Sequence, residues 1–362
     1  MLPAKKLLIL SCSTGKGHWR AGEALRAHCA EQYPDIEVRH IDIAQFFNFF
    51  AHFYIIFGYT FFATHFPWLY KQIYYRTDTD FTKKFFRLFG PILAISSKKL
   101  FLYIDTFKPD HIISTHFLPD IIFPRSFTIP HSTVITDYHP HVIWFAGKTN
   151  LLFSPTKEAQ TTLAAKGISS VTSGIPLMPE FFKQPEKKFA KISLGIANEQ
   201  PTILIMPTYT TSHKLSEAIT KIRTAFPHIN ICAITNISMT EHNIYVFGSE
   251  TPVDMLMSAA DIIITKAGGL TVSEALCKQK PIIVARTIPG QEDYNAAYIE
   301  KNNYGVFTHS IPETIKQIER ILKNPFCFNK KLYPDPSTII LKTILQSSSL
   351  RNSDQADFQH NS

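Results

Sequence analysis

The chain has 362 residues, enough for two α/β domains with complete cores, and its composition (45% hydrophobic, 18% charged) is that of a globular protein. A net charge of +8 favours an anionic partner, but no run of Lys and Arg interleaved with stacking aromatics supports nucleic-acid binding. Five scattered cysteines without paired spacing argue against a disulfide framework and a zinc site. The N-terminus leads directly into a strand, which leaves no room for a signal peptide and predicts a cytoplasmic location.

The first predicted elements form a β–α–β unit. Strands over Lys6–Ser11 and Glu37–Asp42 flank a helix predicted from about His18 to Tyr33. The loop between them, S-C-S-T-G-K-G, is neither a Walker A nor a G-x-G-x-x-G motif. A histidine in a first turn is usually a surface or capping group, but the helix dipole lowers its pKa. We therefore expect His18 to be neutral and able to accept a proton.

Residues Ile43–Tyr70 contain no Asp, Glu, Lys or Arg and are rich in Phe and Tyr. The length would permit a transmembrane helix, but polar residues are scattered through it, and the strands on both sides belong to one sheet. The sequence therefore predicts a segment lying in a membrane interface, with an ordinary hydrophobic helical pair covering the sheet as the alternative. Basic residues that could contact anionic lipid follow it: Lys71, Arg76, Lys83, Lys84, Arg87, Lys98 and Lys99.

Strands resume after Lys108, and a polar string follows the second of them. The predicted strands are Asp110–Ser114, Ser132–Thr136, Leu151–Phe153 and Val171–Ser173. Asp137, at the carboxyl end of a strand, is placed to orient a base or to contact an acceptor. His139 and His141 could suggest a metal pair, but no Cys or carboxylate cluster completes one, which favours solvated loop histidines.

A charged stretch low in apolar residues, Gln184–Lys191, marks a linker and predicts a domain boundary near Pro179. The first domain is thus predicted over 1–178 and the second over 179–325. Helices are predicted over Ile311–Lys323 and near Ser337–Gln346, and the polar tail 347–362 is expected to be disordered. Strands of the second domain are predicted at Thr202–Met206, Ile229–Thr235, Ile244–Phe247, Asp261–Thr265 and Pro281–Ala285.

The segment from Asp261 to Asn295 predicts a β–loop–α–β unit with two buried parallel strands. Its loop, K-A-G-G, lets the backbone approach a ligand, and the helix predicted to start near Thr271 directs free N–H groups and a positive dipole end there. Such a site suits a diphosphate. Alternatively, Thr271 and Glu274 form a capping box and contact no ligand. The turn Pro289–Glu292 places polar side chains at the carboxyl edge of the sheet, where open α/β sheets bind ligands.

Four strings carry a family resemblance: K-A-G-G-L-T-V-S-E-A, P-G-Q-E-x-x-N-A, G-x-G-H at the first helix, and T-D-Y-x-x-H-x-x-W. Together they resemble UDP-sugar glycosyltransferases of the GT-B fold, in particular the monogalactosyl- and glucosyl-diacylglycerol synthases of family 28, with the MurG-type enzymes more distant. The resemblance implies an α/β protein of two Rossmann-like domains facing a cleft. It also implies a helix within 326–346 that crosses back to the N-terminal domain.

The resemblance implies an inverting transfer of glucose or galactose from a UDP-hexose to the sn-3 hydroxyl of diacylglycerol, by a peripheral protein on the inner face of a membrane. His18 would be the base, helped by Asp137, and no metal or other cofactor would be required. The implied donor-binding residues are Gly17, Phe247, Gly268, Gly269, Leu270, Thr271, Glu274, Gln291 and Glu292. The implied acceptor and membrane residues are Phe57, Tyr59, Phe66, Trp68, Tyr70, His141 and Trp144, and the basic residues that follow the apolar segment would meet anionic membrane lipids.

One departure from the family keeps alternatives open. The first strand of the second domain is followed by Met206–His213, which has no glycine where the family has a glycine-rich loop. The diphosphate site and the use of the donor could therefore differ. Two alternatives follow: a MurG-like transfer to a polyprenyl-linked acceptor, and a non-catalytic membrane-docking relative that has lost donor binding.

Overall fold

The computed structural model describes residues 5–13, 15–48, 61, 65–124, 126–147, 149–197, 199–207, 211–237, 239, 241–326, 328 and 334–346. The chain divides into two compact units, Met1–Pro179 with Pro334–Ser362, and Glu180–Tyr333.

The described part of the first unit holds one parallel sheet of six strands in the order β2-β1-β3-β4-β5-β6. Its strands are β1 Lys6–Ser11, β2 Glu37–Asp42, β3 His111–Ser114, β4 His131–Val134, β5 Leu151–Ser154 and β6 Val171–Thr172. Its helices are α1 Lys16–Gln32, α2 Pro67–Arg76, α3 Asp80–Ile95, α4 Lys98–Phe107, α5 Leu118–Ile122 and α6 Lys157–Ala165.

Strand β1 shows why this sheet is covered on both faces. Successive side chains of a strand point to opposite faces, and all four residues from Leu7 to Leu10 are fully buried. Leu8 and Leu10 pack in a cluster with Leu100 of α4, whereas Leu7 and Ile9 pack with Leu25 of α1. A run of apolar residues without alternation is thus the expected sequence of a strand buried on both sides.

The described part of the second unit repeats this plan, with parallel strands in the order β12-β11-β10-β7-β8-β9. Its strands are β7 Thr202–Ile205, β8 Asn230–Ile234, β9 Ile244–Phe247, β10 Ile262–Lys266, β11 Ile282–Arg286 and β12 Gly305–Phe307. Its helices are α7 Lys187–Ser193, α8 Ser212–Ala225, α9 Val253–Ala259, α10 Gly269–Cys277, α11 Gln291–Lys301 and α12 Ile311–Lys323.

A last helix, α13 over residues 336–346, belongs to the first unit. Its side chains Ile340, Leu341 and Ile344 are fully buried and pack in the cluster that contains Leu7 and Leu25. The end of the described chain therefore completes the core on one face of the first sheet.

The predicted α/β class, with a Rossmann-like parallel sheet in each unit, is confirmed. The predicted strands match those observed within one or two residues at either end, and β12 was missed because it has only three residues and begins with a glycine. Among the described residues no helix is both long and apolar enough to cross a membrane.

Candidate active site

His18 lies in the first turn of α1, which begins two residues earlier than predicted, at Lys16. Its Nδ1 is 3.1 Å from the carbonyl oxygen of Thr115 and 2.9 Å from the hydroxyl oxygen of Thr136. These residues follow β3 and β4, whose carboxyl ends share an edge of the sheet with the end of β1. A carbonyl oxygen only accepts hydrogen bonds, so Nδ1 carries the ring hydrogen and Nε2 carries the lone pair.

Burial lowers the pKa of His18 to about 4, and the hydrogen bond to Thr115 opposes that shift. The neutral state predicted from the sequence follows, although burial, rather than the helix dipole on which the prediction relied, is the leading cause. The ring lies edge-on to His116, with 4.7 Å between centroids, and 6.0 Å from the ring of Trp144. Burial, and then the repulsion that a protonated His18 would exert, hold the pKa of His116 well below its usual value. The imidazole at position 18 is therefore a neutral proton acceptor.

Asp137 was predicted to assist His18, but its observed hydrogen-bond partner is Trp144. Its Oδ2 accepts a hydrogen bond of 3.0 Å from Trp144 Nε1, and both side chains are buried. The polar side chain at Nδ1 of His18 is that of Thr136, one residue earlier. Thr136 was not predicted as a site residue, because in the sequence it is only a hydroxyl residue just after a strand, which is a weak indication of a role. The contribution of Asp137 to catalysis stays a prediction.

The glycine loop of the second unit joins β10 to α10. Gly268 is the N-cap residue, and it supplies no side-chain hydrogen bond to the helix start. The backbone N–H groups of Gly269, Leu270 and Thr271 lie in the first turn, where helical N–H groups have no partner within the helix. The helix thus begins two residues before the predicted start, and the capping box with Thr271 as N-cap is wrong. The arrangement offers backbone donors and a positive dipole end to an anion.

A cation lies beside this loop. Lys266 Nζ is 2.7 Å from Glu292 Oε1, and it is 3.8 Å from the point that a Cβ on Gly268 would occupy. The Lys266 side chain is 39% exposed, whereas that of Glu292 is 1% exposed. The other oxygen of Glu292 accepts a hydrogen bond from the backbone N–H of Ile288 at 2.7 Å. Glu292 thus holds both Lys266 and the turn before α11. Lys266 is a basic group at this site that was not predicted from the sequence.

The remaining donor-side residues lie around the same edge of the second sheet. Asn295 Nδ2 donates a 2.8 Å hydrogen bond to the carbonyl of Ala267, which fixes the loop. Gln291 begins α11 after Gly290, whose φ of 94° favours glycine. Glu274 is 1% exposed, so a ribose would have to reach a buried carboxylate. Phe247 ends β9, the edge strand three places from β10, which is about 14 Å at the usual strand spacing.

The predicted acceptor and membrane residues fall into three groups. Phe57 and Tyr59 lie outside the described residues. Phe66 and Trp68 are exposed, at 41% and 68%, and Tyr70 is half-buried. His141 and Trp144 are buried, at 4% and 1% exposed, so neither lies on an exposed surface, and their contact with the acceptor stays a prediction. The packing of Trp144 near His18 still places it beside the proposed base.

His141 is a structural residue rather than the solvated loop histidine that was expected. Its Nε2 is 3.1 Å from the carbonyl oxygen of Tyr74 at the end of α2, and its Nδ1 accepts a hydrogen bond from Ile143 N–H. Burial lowers the pKa of His141, which suits this neutral arrangement. Nearby, Asp78 accepts a 2.7 Å hydrogen bond from Val142 N–H. These contacts join the region after α2 to the loop that carries Trp144. Within the described part of the chain, no group of three or more His, Cys, Asp or Glu side chains is placed to hold a metal ion.

An exposed apolar surface extends well beyond the segment that the sequence singled out. Most of the exposed large hydrophobic side chains among the described residues lie between Phe61 and Leu102. Helix α3 contributes Phe81 at 76%, Phe85 at 45% and Leu88 at 73% exposed, at helical spacings of four and three. The segment predicted from the sequence ends at Tyr70 because Lys71 of α2 is the next residue and is charged. The apolar stripe on α3 lies among charged residues and is visible only with helical periodicity.

Comparison with known proteins extends over both units. The sequence model of the monogalactosyldiacylglycerol (MGDG) synthase family matches residues 18–177. The sequence model of the glycosyltransferase family 28 C-terminal domain matches residues 229–347. The processive diacylglycerol beta-glucosyltransferase of Staphylococcus saprophyticus is 26% identical over 89% of this chain and 85% of its own length.

Two solved structures show the fold alone. UDP-GlcNAc 2-epimerase from Neisseria meningitidis, bound to UDP-GlcNAc, has a TM-score of 0.58 and 14% identity over 94% of this chain and all of its own. MurG of Acinetobacter baumannii has a TM-score of 0.54 and 13% identity over 88% and 91%. One of these is an epimerase, so the family matches, rather than the fold, identify the reaction class. This chain is a GT-B glycosyltransferase, similar over residues 18–177 to monogalactosyldiacylglycerol (MGDG) synthase and over residues 229–347 to the glycosyltransferase family 28 C-terminal domain.

Proposed function

We propose that this glycosyltransferase moves glucose or galactose from a UDP-sugar to the sn-3 hydroxyl of diacylglycerol, with inversion at the anomeric carbon. The observation that carries the proposal is the state of His18: a neutral ring whose Nδ1 is fixed by Thr115, so that Nε2 is the basic atom. A general base within hydrogen-bond reach of an alcohol is what such a transfer requires.

In the proposed reaction Nε2 of His18 takes the hydroxyl proton as the alcohol oxygen forms its bond to the anomeric carbon. The bond from that carbon to the diphosphate oxygen breaks, and UDP leaves with the electron pair. Attack from the face opposite the leaving group inverts the configuration. Thr115 and Thr136 hold the ring through Nδ1, so the acceptor atom keeps a fixed direction.

The donor side of the proposal rests on the start of α10. The uncapped first turn after Gly268 and the ammonium of Lys266 together suit a diphosphate, whose negative charge increases as UDP leaves. We further propose that Glu274 contacts the ribose, Gln291 the sugar or diphosphate, and Phe247 the uracil.

Diacylglycerol is proposed as the acceptor for two reasons. The relative from Staphylococcus saprophyticus, which is similar over most of both chains, is named a processive diacylglycerol beta-glucosyltransferase. The surface between Phe61 and Leu102 also exposes aromatic and aliphatic side chains beside lysines such as Lys84 and Lys98, a combination that suits an anionic membrane. We therefore propose that the protein works as a peripheral protein at the inner face of a membrane, where its acceptor is dissolved.

The experiment combines radiolabelled UDP-glucose and UDP-galactose with diacylglycerol or a polyprenyl-linked sugar in mixed micelles. Glycosyl-diacylglycerol from one donor, formed equally well in EDTA, is the expected result. Product on the polyprenyl acceptor alone would instead assign a MurG-like reaction. UDP titration by calorimetry provides the control: no heat of binding together with no product would indicate a relative that has lost donor binding.

A further inference from the structure

A second group of polar side chains lies behind His18, on the side away from the ring. The Ser11 hydroxyl, at the end of β1, is 2.8 Å from Thr115 Oγ1 and 3.2 Å from the backbone carbonyl oxygen of His18. Thr115 Oγ1 also donates to that carbonyl at 2.8 Å. Thr115 therefore makes two hydrogen bonds to His18: its carbonyl oxygen accepts from the ring Nδ1, and its hydroxyl donates to the backbone carbonyl.

His40 of β2 completes this group. Its Nε2 is 2.7 Å from Ser11 Oγ, its Nδ1 is 3.1 Å from Glu23 Oε2, and its side chain is 1% exposed. Burial lowers the pKa of His40, so its ring is neutral. Although burial opposes the shift, hydrogen bonds from Arg26 and His40 lower the pKa of Glu23, which is ionised and only accepts. Nδ1 of His40 thus donates to Glu23, and Nε2 accepts the hydroxyl hydrogen of Ser11. The hydroxyl hydrogen of Thr115 is then shared between Ser11 Oγ and the carbonyl oxygen of His18.

The packing of α1 depends on the same two side chains. A Cβ on Gly22, one turn after His18, would overlap Nε2 of His40 and Oγ of Ser11. The helix therefore lies directly on this hydrogen-bonded pair, and the ring of Trp19 stacks on His40 with 3.9 Å between centroids. We therefore expect a displacement of His40 or Ser11 to move α1 relative to the sheet.

The order Ser11, His40, Glu23 is also that of a nucleophilic triad, but the geometry argues against hydrolysis. Ser11 is fully buried, and its oxygen already contacts His40, Thr115 and the His18 carbonyl. An acyl group therefore has no path to that oxygen. The three side chains hold the backbone of the protein and do not contact a substrate.

We infer that His40 is a positioning residue for sugar transfer: it is fixed by Glu23 and acts through Ser11 and Thr115 to set the backbone and ring of His18. The inference rests on the proposed function of His18 as the base. Because the reacting atoms must meet within a few tenths of an ångström, a displacement of about 1 Å costs up to about 100-fold in rate.

Two substitutions of His40 separate its contacts. His40→Gln places an amide where Nε2 lies and keeps a partner for Ser11, whereas His40→Asn reaches only the position of Nδ1 and Glu23. We expect His40→Asn to lower kcat by about 10- to 100-fold with little change in the KM for donor or in UDP affinity, and His40→Gln to stay within about threefold. The matched control is His28→Asn, which removes an imidazole of α1 that is 12% exposed and paired with Asp335, and it should leave kcat unchanged.

Combination with His18→Ala decides between positioning and general damage. If His40 acts through His18, His40→Asn should have no further effect on kcat once His18 is alanine. Additive losses, or equal losses in the Gln and Asn variants, would overturn the inference. If His18→Ala alone keeps normal kcat, the proposed base fails, and that result is distinguishable from a failure confined to His40.

A readout that needs no turnover is the ring nitrogen spectrum of ¹⁵N-histidine-labelled protein, with His18 assigned by its substitution. The native chain and His40→Gln should show a single Nδ1–H tautomer for His18, and His40→Asn should show a mixture. An unchanged single tautomer in all three proteins would contradict the inference even if no acceptor had been found.

Discussion

Acid should destabilise this protein because the buried His18 does not take up a proton as readily as it does in the unfolded chain. The loss in the free energy of unfolding follows from the pKa shift that burial causes. Its pKa falls from about 6.5 in the unfolded chain to about 4 in the folded one, which at 1.36 kcal/mol per pH unit amounts to about 3 kcal/mol at most. Below pH 6.5 the unfolded chain takes up a proton that folded His18 refuses until about pH 4. The stability is therefore complete above pH 6.5 and is lost as the pH falls towards 4, with about 2 kcal/mol lost by pH 5.

The assay is urea unfolding followed by tryptophan fluorescence at several pH values between 7 and 4.5, with His18→Gln as the partner protein. Other buried histidines titrate in both proteins, so the difference between the two isolates His18. The free energy of unfolding should fall by about 2 kcal/mol more in the native chain than in His18→Gln between pH 7 and 5. Parallel curves would refute the burial argument. In the same range kcat/KM should stay level and decline only near pH 4, and a decline centred at 6.5 would count equally against it.

Three further predictions address other parts of the molecule. Lys266→Met removes the ammonium beside the glycine loop, and calorimetry should show UDP binding weakened about 10- to 100-fold, whereas unchanged affinity would exclude Lys266 from the donor site. Burial raises the pKa of Asp120 to about 8, so the folded chain keeps a proton that the unfolded chain releases above about pH 4, and stability is lost as the pH rises towards 8. Asp120→Asn should therefore be more stable than the native chain by about 5 kcal/mol at pH 8 and nearly equal to it at pH 4, as judged by urea unfolding; equal stability at both would contradict this. Trp68→Ala should reduce sedimentation with phosphatidylglycerol vesicles about fivefold without changing thermal stability, and undiminished binding would remove Trp68 from the membrane surface.

The sequence predicted the sheets well because their strands are short apolar runs between glycine and proline punctuation. Strand β1, with its run of buried residues, has the predicted boundaries, as do the more polar β2 and the edge strand β9; among the described strands, β12 was missed. Burial on both faces makes such runs nearly free of polar residues, which is a strong local signal.

The details of the site were harder to predict because they depend on contacts between residues far apart in the chain. The partner of the His18 ring is separated from it by 97 residues in the case of Thr115, and the ion pair of Lys266 with Glu292 spans 26. Trp144 and His141 sit in a polar loop string that suggests exposure, but the loop folds inward and buries both. Tertiary packing, which no local pattern encodes, decided these positions.

The central claim is that His18 removes the acceptor proton while the second unit holds UDP. The most direct measurement is single-turnover formation of labelled glycosyl-diacylglycerol by the native chain and His18→Ala, with UDP affinity measured in parallel. The account predicts a loss of about 100- to 10,000-fold in the rate of the variant with unchanged UDP affinity. A variant rate within about threefold of the native rate would contradict it.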